Sequence, residues 1–490
     1  MHSHSDGFNE ELREVKHAIQ QGDQQEAFGR LKALFRQSRM VEERSAFAEA
    51  VGLLVTLIEG AAEALPEPLV EARTRDLEDL EAVCRFAAAL YECEIHDVAA
   101  ALLMWVRTHA NSDESVTAAI VDCLEEDARF AEALRVVRED LERFPESFFL
   151  HYLLGFHALM CGDIGLARRT LETLSQPPDE QSDSLQRSFA QKLSRVDDLD
   201  GVRSLDGHDL QGWQYVISGS LLLHTSAEGA EVMNGRYGFL GDSFSLCRAG
   251  LARLQSILSA CEIVPTCVQH LPDRGSRILA LAAGELLDLP VEPYAAESPD
   301  IGENLVAGEG DVVSGDERTE DGGASPEHKS PAHASEAPEP HGLDSVGDDS
   351  DGHMTLVIAY DIQDSDEDVL RSLFVRRDKE LLFSHITCWT DSFPYTADVT
   401  TTLVQAYQSP WDERLRVGAD GELETLPPID ESEAALAQQV LDADPEGEDT
   451  RDVEHLIRLA KAAGEDAAFR QIGGTRERAW MGPVPSNRLL

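Results

Sequence analysis

The stretch Ala128-Arg129-Phe130-Ala131-Glu132-Ala133-Leu134, followed by Phe144-Pro145, Leu153-Leu154-Gly155 and Cys161-Gly162-Asp163, decides how the N-terminal half is read. Apolar and small residues recur in it at helical spacing, and Pro145 stands between the end of one helix and the start of the next. Gly162 suits the left-handed position that closes a helix. Outward from this stretch, Gly22-Asp23-Gln24-Gln25-Glu26-Ala27 matches Gly162-Asp163-Ile164-Gly165-Leu166-Ala167 at its key sites. Val98-Ala99-Ala100-Ala101 and Phe130-Ala131-Glu132-Ala133 fill the same slot ahead of an amphipathic helix. Val98, Phe130 and Ile164 lie 32 and 34 residues apart, and a period near 34 marks stacked helix-turn-helix units.

In these residues the chain resembles the tetratricopeptide repeat (TPR) family, over residues 80–180 with an outlying unit near residues 10–40. The signature Trp and Tyr of a strict repeat are missing, and residues 41–80 do not keep the register. The resemblance implies a helical array over residues 1–180 whose concave groove holds a protein or peptide partner. Repeat proteins of this kind are rarely catalysts. Arg135, Arg138, Arg168 and Arg169 are candidate partner-binding positions on the polar face. The plainer alternative pairs them along the helix with Glu132, Glu139 or Glu172.

The 490 residues carry 92 Asp plus Glu against 41 Lys plus Arg, a formal net charge of −51, and 42% are hydrophobic. That apolar fraction excludes a wholly disordered acidic chain. So negative a field repels nucleic acid and anionic lipid, whose phosphates are held by Lys and Arg, so neither is expected as a partner. Only six of the cations are lysine; carboxylates in such excess suit a salt-rich cytoplasm, where screening shortens their repulsion. Met1-His2-Ser3-His4-Ser5-Asp6 offers no cationic and apolar leader. The longest apolar runs, Phe86 to Leu90 and Val98 to Val106, fall far short of the roughly 20 residues that span a bilayer. A cytoplasmic protein is expected. The eight cysteines include no CxxC pair, so neither a zinc site nor another metal or cofactor is expected. Cys84, Cys123 and Cys161 read as core.

After Gln176-Pro177-Pro178-Asp179 the composition changes. Trp213-Gln214-Tyr215-Val216-Ile217, Ser220-Leu221-Leu222-Leu223-His224 and Asn234-Gly235-Arg236-Tyr237-Gly238 read as strands and turns. Asp242-Ser243 suits the cap of a helix through Leu251, Leu254 and Ile257. A strand over residues 263–268, a loop, a helix from about Arg277 to Leu287 and the short strand Leu289-Pro290-Val291-Glu292 then make a βαβ unit. Residues 297–353 hold 16 acids against two bases, with dense Gly, Ser, Pro and Ala, and read as a disordered insert. The apolar run from Met354 to Asp361 reads as a buried strand. A helix through Val369, Leu370 and Leu373 follows, then a strand from Leu381 to Cys388 and a helix from Asp398 through Val404. The expected fold class is α plus α/β. Residues 1–180 form the TPR-like array, and residues 200–296 and 354–412 form one α/β domain around the acidic insert. Residues 413–490 form an acidic, partly helical tail.

The sharpest chemical candidate is the loop Pro272-Asp273-Arg274-Gly275-Ser276, lying after a strand and opening a helix. Backbone N–H groups at a helix N-terminus, a flexible glycine and an adjacent guanidinium suit a phosphate. This order of strand, basic loop, Leu-Ala-Leu-Ala-Ala-Gly helix and Leu-Pro-Val strand is similar to part of a phosphoribosyltransferase core. That resemblance implies a second acidic strand end opposite the loop. Asp361 supplies one carboxylate there, but Gln363-Asp364-Ser365-Asp366 replaces the family's Thr-rich phosphate loop, which takes away its most diagnostic motif. The ligand-binding candidates are therefore Asp273, Arg274, Gly275, Ser276 and Asp361, for a small phosphorylated molecule; their plain roles are turn former and helix cap. Ser218, Ser220, Ser243, His208, His224 and His270 offer hydrolase side chains, but none lies in a GxSxG elbow. His385, Cys388, Trp389 and Asp391 cluster near a strand end, where α/β ligands bind; burial in the core explains Cys388 and Trp389 equally well. No catalytic residue is assigned, and the leading expectation is a protein-interaction scaffold with an accessory α/β domain.

Overall fold

Three helices begin on side-chain caps spaced 34 residues apart. Asp79 accepts the backbone N–H of Ala82, Asp113 that of Ser115 and Ser147 that of Leu150, which satisfies donors orphaned at a helix start. In the computed structural model, residues 5–110, 113–226, 233–295, 354–375, 379–389, 396–417, 422–445, 450–464, 467–468, 476 and 482–484 are described. They divide into two units, one ending at Pro178 and the other beginning at Asp179. The acidic segment 297–353 lies outside the described residues.

The first unit is helical: α1 (Ser5–Gln21), α2 (Gln24–Phe35), α3 (Arg44–Gly60), α4 (Glu67–Ala72), α5 (Leu80–Glu92), α6 (His96–His109), α7 (Glu114–Glu126), α8 (Phe130–Leu141), α9 (Phe148–Met160) and α10 (Ile164–Thr173). From α5 onward they form three hairpins, and both the first and the second helices start 34 residues apart at each step. Each hairpin closes in the same way. Glu94, Ala128 and Gly162 adopt φ of 59°, 55° and 78°, and the next N–H donates back to Leu90, Leu124 or Ala158, the bond of a Schellman closure. Gly22 and Asp23 repeat this closure between α1 and α2. Ala99, Ala133 and Ala167, all fully buried, mark the same position in successive second helices, where a small side chain lets neighbours approach. The uniform step corrects the expected register: His96, not Val98, corresponds to Phe130 and Ile164. Residues 41–80 depart from it, as α3, two short 3-10 turns and the six-residue α4 occupy them. Buried acids fasten the hairpins, with Asp97 paired to Arg36 at 3.1 Å and Asp140 to Arg107 at 3.0 Å.

The second unit opens with α11 (Glu180–Asp198) and α12 (Leu210–Ser218), followed by β1 (Leu221–Leu222), β2 (Tyr237–Gly241), α13 (Phe244–Ala260), β3 (Pro265–His270), α14 (Arg274–Leu287) and β4 (Val291–Pro293). Beyond the acidic segment come β5 (Met354–Asp361), α15 (Glu367–Phe374), β6 (Glu380–Cys388), β7 (Val399–Gln408), β8 (Arg414–Val417), β9 (Leu423–Leu426), α16 (Glu433–Asp442) and α17 (Thr450–Ala462). Seven strands make one parallel sheet in the order β1-β7-β6-β5-β3-β4, with β2 extending the β1 edge on β7. β8 and β9 form a separate antiparallel pair. The sheet therefore joins strands from both sides of the acidic segment. Among the described residues, no helix is long and apolar enough to cross a membrane.

Strand alternation decides which helix each residue meets. Val357 and Ala359 pack with Val369 and Leu373 of α15, while Tyr360 meets α14 at Gly275 on the opposite face. The sheet is thus covered on both sides. Chain order reverses between β3, which leads to β4, and β5, which leads to β6 and β7 in the other direction; such a switch point opens a crevice at the carboxyl ends of the strands. At the amino edge, the fully buried Arg476 donates to Asp398 at 3.0 Å and to Glu380 at 3.0 Å, and also to the carbonyl of Leu373.

Two expectations are corrected. Trp213 to Ile217 form α12 rather than a strand; Asp209 caps it by accepting the N–H of Gly212, and left-handed Gly219 ends it. The segment is buried almost all round, so its aromatic and β-branched residues serve burial and not pleating. Residues 399–404 belong to β7 rather than to a helix. Five of the six residues of Val-Thr-Thr-Thr-Leu-Val are β-branched, and such side chains crowd a helix but fit a buried pleat.

Candidate functional site

The loop predicted to hold phosphate lies at the switch point, at the carboxyl end of β3, with Asp361 at the end of β5. Most of its polar groups are engaged inside the protein, although Asp273 Oδ2 is buried without a hydrogen-bond partner among the described residues. Asp273 caps α14 by accepting the N–H of Ser276 at 2.7 Å. The Ser276 hydroxyl accepts the backbone N–H of Tyr360 at 2.8 Å, fastening α14 to β5. A Cβ at Gly275 would come 2.8 Å from the Tyr360 ring, so the glycine permits this close approach. Arg274 donates to the carbonyls of Ile429 and Glu431 at 2.9 and 3.2 Å. Asp361, 2% exposed, accepts the N–H of Gln363 at 3.0 Å. The five residues flank one crevice, yet their side chains cap, clamp and bridge.

The four arginines predicted to meet a partner are exposed on α8 and α10. Arg135 and Arg169 hold equivalent positions in successive hairpins, and Arg135 pairs with Glu139 at 3.0 Å. Nearby, a polar concavity of about 400 Å³ is lined by Arg107, Thr108, Ala110, Glu139, Asp140 and Arg143.

The hydrolase-type side chains do not converge. His208 approaches Asn234, His270 its neighbouring Leu271 carbonyl, and Ser218 donates to Gln214. His224 lies between the Tyr237 hydroxyl at 2.8 Å and Arg253 at 3.2 Å. Burial first, then the charges of Arg253 and His385, push it down to about 4, so it is neutral near neutral pH. Trp389 is buried and donates to the Tyr237 carbonyl, whereas Asp391 lies outside the described residues.

A different cluster occupies the layer between α13 and the sheet: Asp242, Cys247, Tyr360 and His385. Asp242 follows β2, Ser243 caps α13 by accepting the N–H of Leu246, and Cys247 follows in the first turn of that helix. Tyr360 and His385 come from β5 and β6. The Asp242 Oδ2 accepts the Tyr360 hydroxyl at 2.6 Å, lies 3.2 Å from His385 Nε2 and accepts the Cys247 thiol at 3.4 Å. Cys247 Sγ is itself 3.6 Å from His385 Nε2. The side chains of Asp242 and His385 are wholly buried, as is Cys247. Gly250 makes the packing possible, since a Cβ there would come 2.7 Å from Thr401 Oγ1 and 3.2 Å from His385 Nδ1.

Burial alone would raise Asp242, but the charge of His385 and hydrogen bonds from His385, Tyr360 and the Ser243 backbone hold it below the usual carboxylate range. Burial and then Asp242 push the Cys247 thiol well up, and the same two causes raise the Tyr360 phenol. The thiol is therefore protonated and no nucleophile. The acid also sits on the same imidazole nitrogen as the thiol, whereas an orienting acid belongs on the opposite one. What the cluster does offer is a sulfur, a nitrogen and an oxygen donor within 4.8 Å of one another. Cysteine spacing could not reveal it, because the site holds one cysteine, and His385 lies 138 residues from Cys247. The available signal was an isolated His within a buried strand and a Cys shortly after a helix cap. Comparisons with family models, curated proteins and solved structures found no match.

Proposed function

We propose that this chain is a cytoplasmic interaction protein whose TPR-like hairpins hold a protein or peptide partner, and that its α/β unit is an accessory, non-catalytic domain. One observation carries the reading: start caps, left-handed closures and buried alanines all recur at the same 34-residue step. Hairpins stacked in register repeat their surface positions, so side chains such as Arg135 and Arg169 form a row that a chain segment can follow. Guanidinium groups in such a row favour an acidic segment. The accessory role of the α/β unit is supported by the engagement of Arg274, Ser276 and Asp273 within the protein. That engagement weighs against a phosphoribosyltransferase-like site for a phosphorylated small molecule.

The test compares the full chain with a variant carrying Arg135→Glu, Arg138→Glu, Arg168→Glu and Arg169→Glu in affinity capture with cross-linking. Partner cross-links on α7 to α10 that disappear in the variant, and persist in Arg274→Ala, are expected. Stabilisation by nucleotides or sugar phosphates that vanishes in Arg274→Ala would overturn the scaffold reading.

A further inference from the structure

We propose that Asp242, Cys247 and His385 form a site for one divalent ion of the zinc class, which ties the start of α13 to β6. The geometry is the first argument. The three donor atoms are separated by 3.2, 3.4 and 3.6 Å. A tetrahedral zinc with bonds of about 2.0–2.3 Å sets its donors roughly 3.3–3.6 Å apart, with the pairs that include sulfur longest. The observed triangle has the dimensions of one face of that tetrahedron and the same order of edges.

The donor set is the second argument. Thiolate, imidazole and carboxylate together select zinc or a close transition-metal relative over magnesium or calcium, which take oxygen alone. When the ion binds, the thiol proton leaves to solvent and the Sγ–metal bond replaces S–H. Thiolate and carboxylate then balance the two positive charges of the ion, leaving the buried site neutral.

The surroundings supply what a ligated imidazole requires. A metal-binding histidine donates its other N–H to a fixed acceptor. His385 Nδ1 and Thr401 Oγ1 are both buried and without a hydrogen-bond partner among the described residues, and both border the point beside Gly250 where a Cβ would stand. The Tyr360 hydroxyl donates to the Asp242 oxygen that faces the ion and so acts as a positioning residue. All three donors are sealed from bulk solvent, and since a tetrahedral ion takes four ligands the fourth position falls to a water.

The experiment uses the full chain with His2→Ala and His4→Ala, so that the terminal imidazoles bind nothing. The protein is purified from zinc-supplemented culture for elemental analysis, then stripped with a chelator and titrated with cobalt(II) alone. The expected result is close to one zinc per chain, and a thiolate-to-cobalt charge-transfer band that is lost in Cys247→Ser and kept in Cys388→Ser. His385→Gln should likewise lose the zinc. Parent protein without zinc and without the cobalt band overturns the site whatever the variants do, and a band that survives Cys247→Ser in folded protein overturns it equally.

Discussion

Cys247 Sγ lies 3.6 Å from His385 Nε2 although 138 residues separate them. The contact exists because α13 runs close over β6 and β7, and that closeness rests on Gly250. A methyl group there meets Thr401 Oγ1 at 2.7 Å, so the helix must rise or the threonine must turn. Gly250→Ala is expected to destabilise the protein by about 1–3 kcal/mol. Denaturant unfolding measures it; a stability equal to that of the parent would show that α13 is not tightly seated.

Arg476 bridges the amino ends of β6 and β7 with no exposure to solvent to soften its loss. Arg476→Ala leaves Asp398 and Glu380 buried without that cation, a change that typically costs about 3–5 kcal/mol. Thermal unfolding should fall accordingly, while Arg187→Ala, on the exposed face of α11 beside Asp183, should leave it unchanged.

The hairpin closures give predictions of opposite sign at equivalent positions. Glu94 and Ala128 adopt left-handed backbone with side chains that resist it, whereas Gly162 does not. Glu94→Gly and Ala128→Gly should each stabilise by about 0.5–1 kcal/mol, and Gly162→Ala should destabilise by about 1 kcal/mol. Chemical denaturation of the single variants checks the signs.

Asp122 gives the helical unit a pH dependence. Burial, then the charges of Glu125 and Glu126, raise it to about 7 despite the opposing pull of His157. The folded state thus holds this proton more tightly than the unfolded chain does, so stability declines as pH rises from the ordinary aspartate value towards about 7 and stays lowered above it. Asp122→Asn removes the penalty. Its melting temperature should exceed that of the parent at about pH 8, with the gain fading towards about pH 4; a gain that is constant with pH would contradict the cause given.

The repeat was legible because small residues, Pro145 and Gly162 are local signals, although the slot at Val98 slipped by two residues and the caps Asp79, Asp113 and Ser147 went unread. The helix α12 was misread because Trp213 and Tyr215 answer to burial in a tertiary layer, whereas β7 was misread against the local β-branched signal of Thr400, Thr401 and Thr402. Arg274 drew attention by its charge and its loop. The carbonyls of Ile429 and Glu431 that claim it lie more than 150 residues away, where no local pattern reaches. The grouping of Asp242, Cys247 and His385 was hidden for the same reason.

Hydrogen exchange of the full chain, free and with its captured partner, tests the interaction claim most directly. Protection concentrated in Glu114–Thr173, with the exchange of Arg274–Leu287 unchanged, is the expected result. Protection confined to the loops at residues 271–276 and 361–365, with the hairpins exchanging as before, would contradict it and move the binding site to the α/β unit.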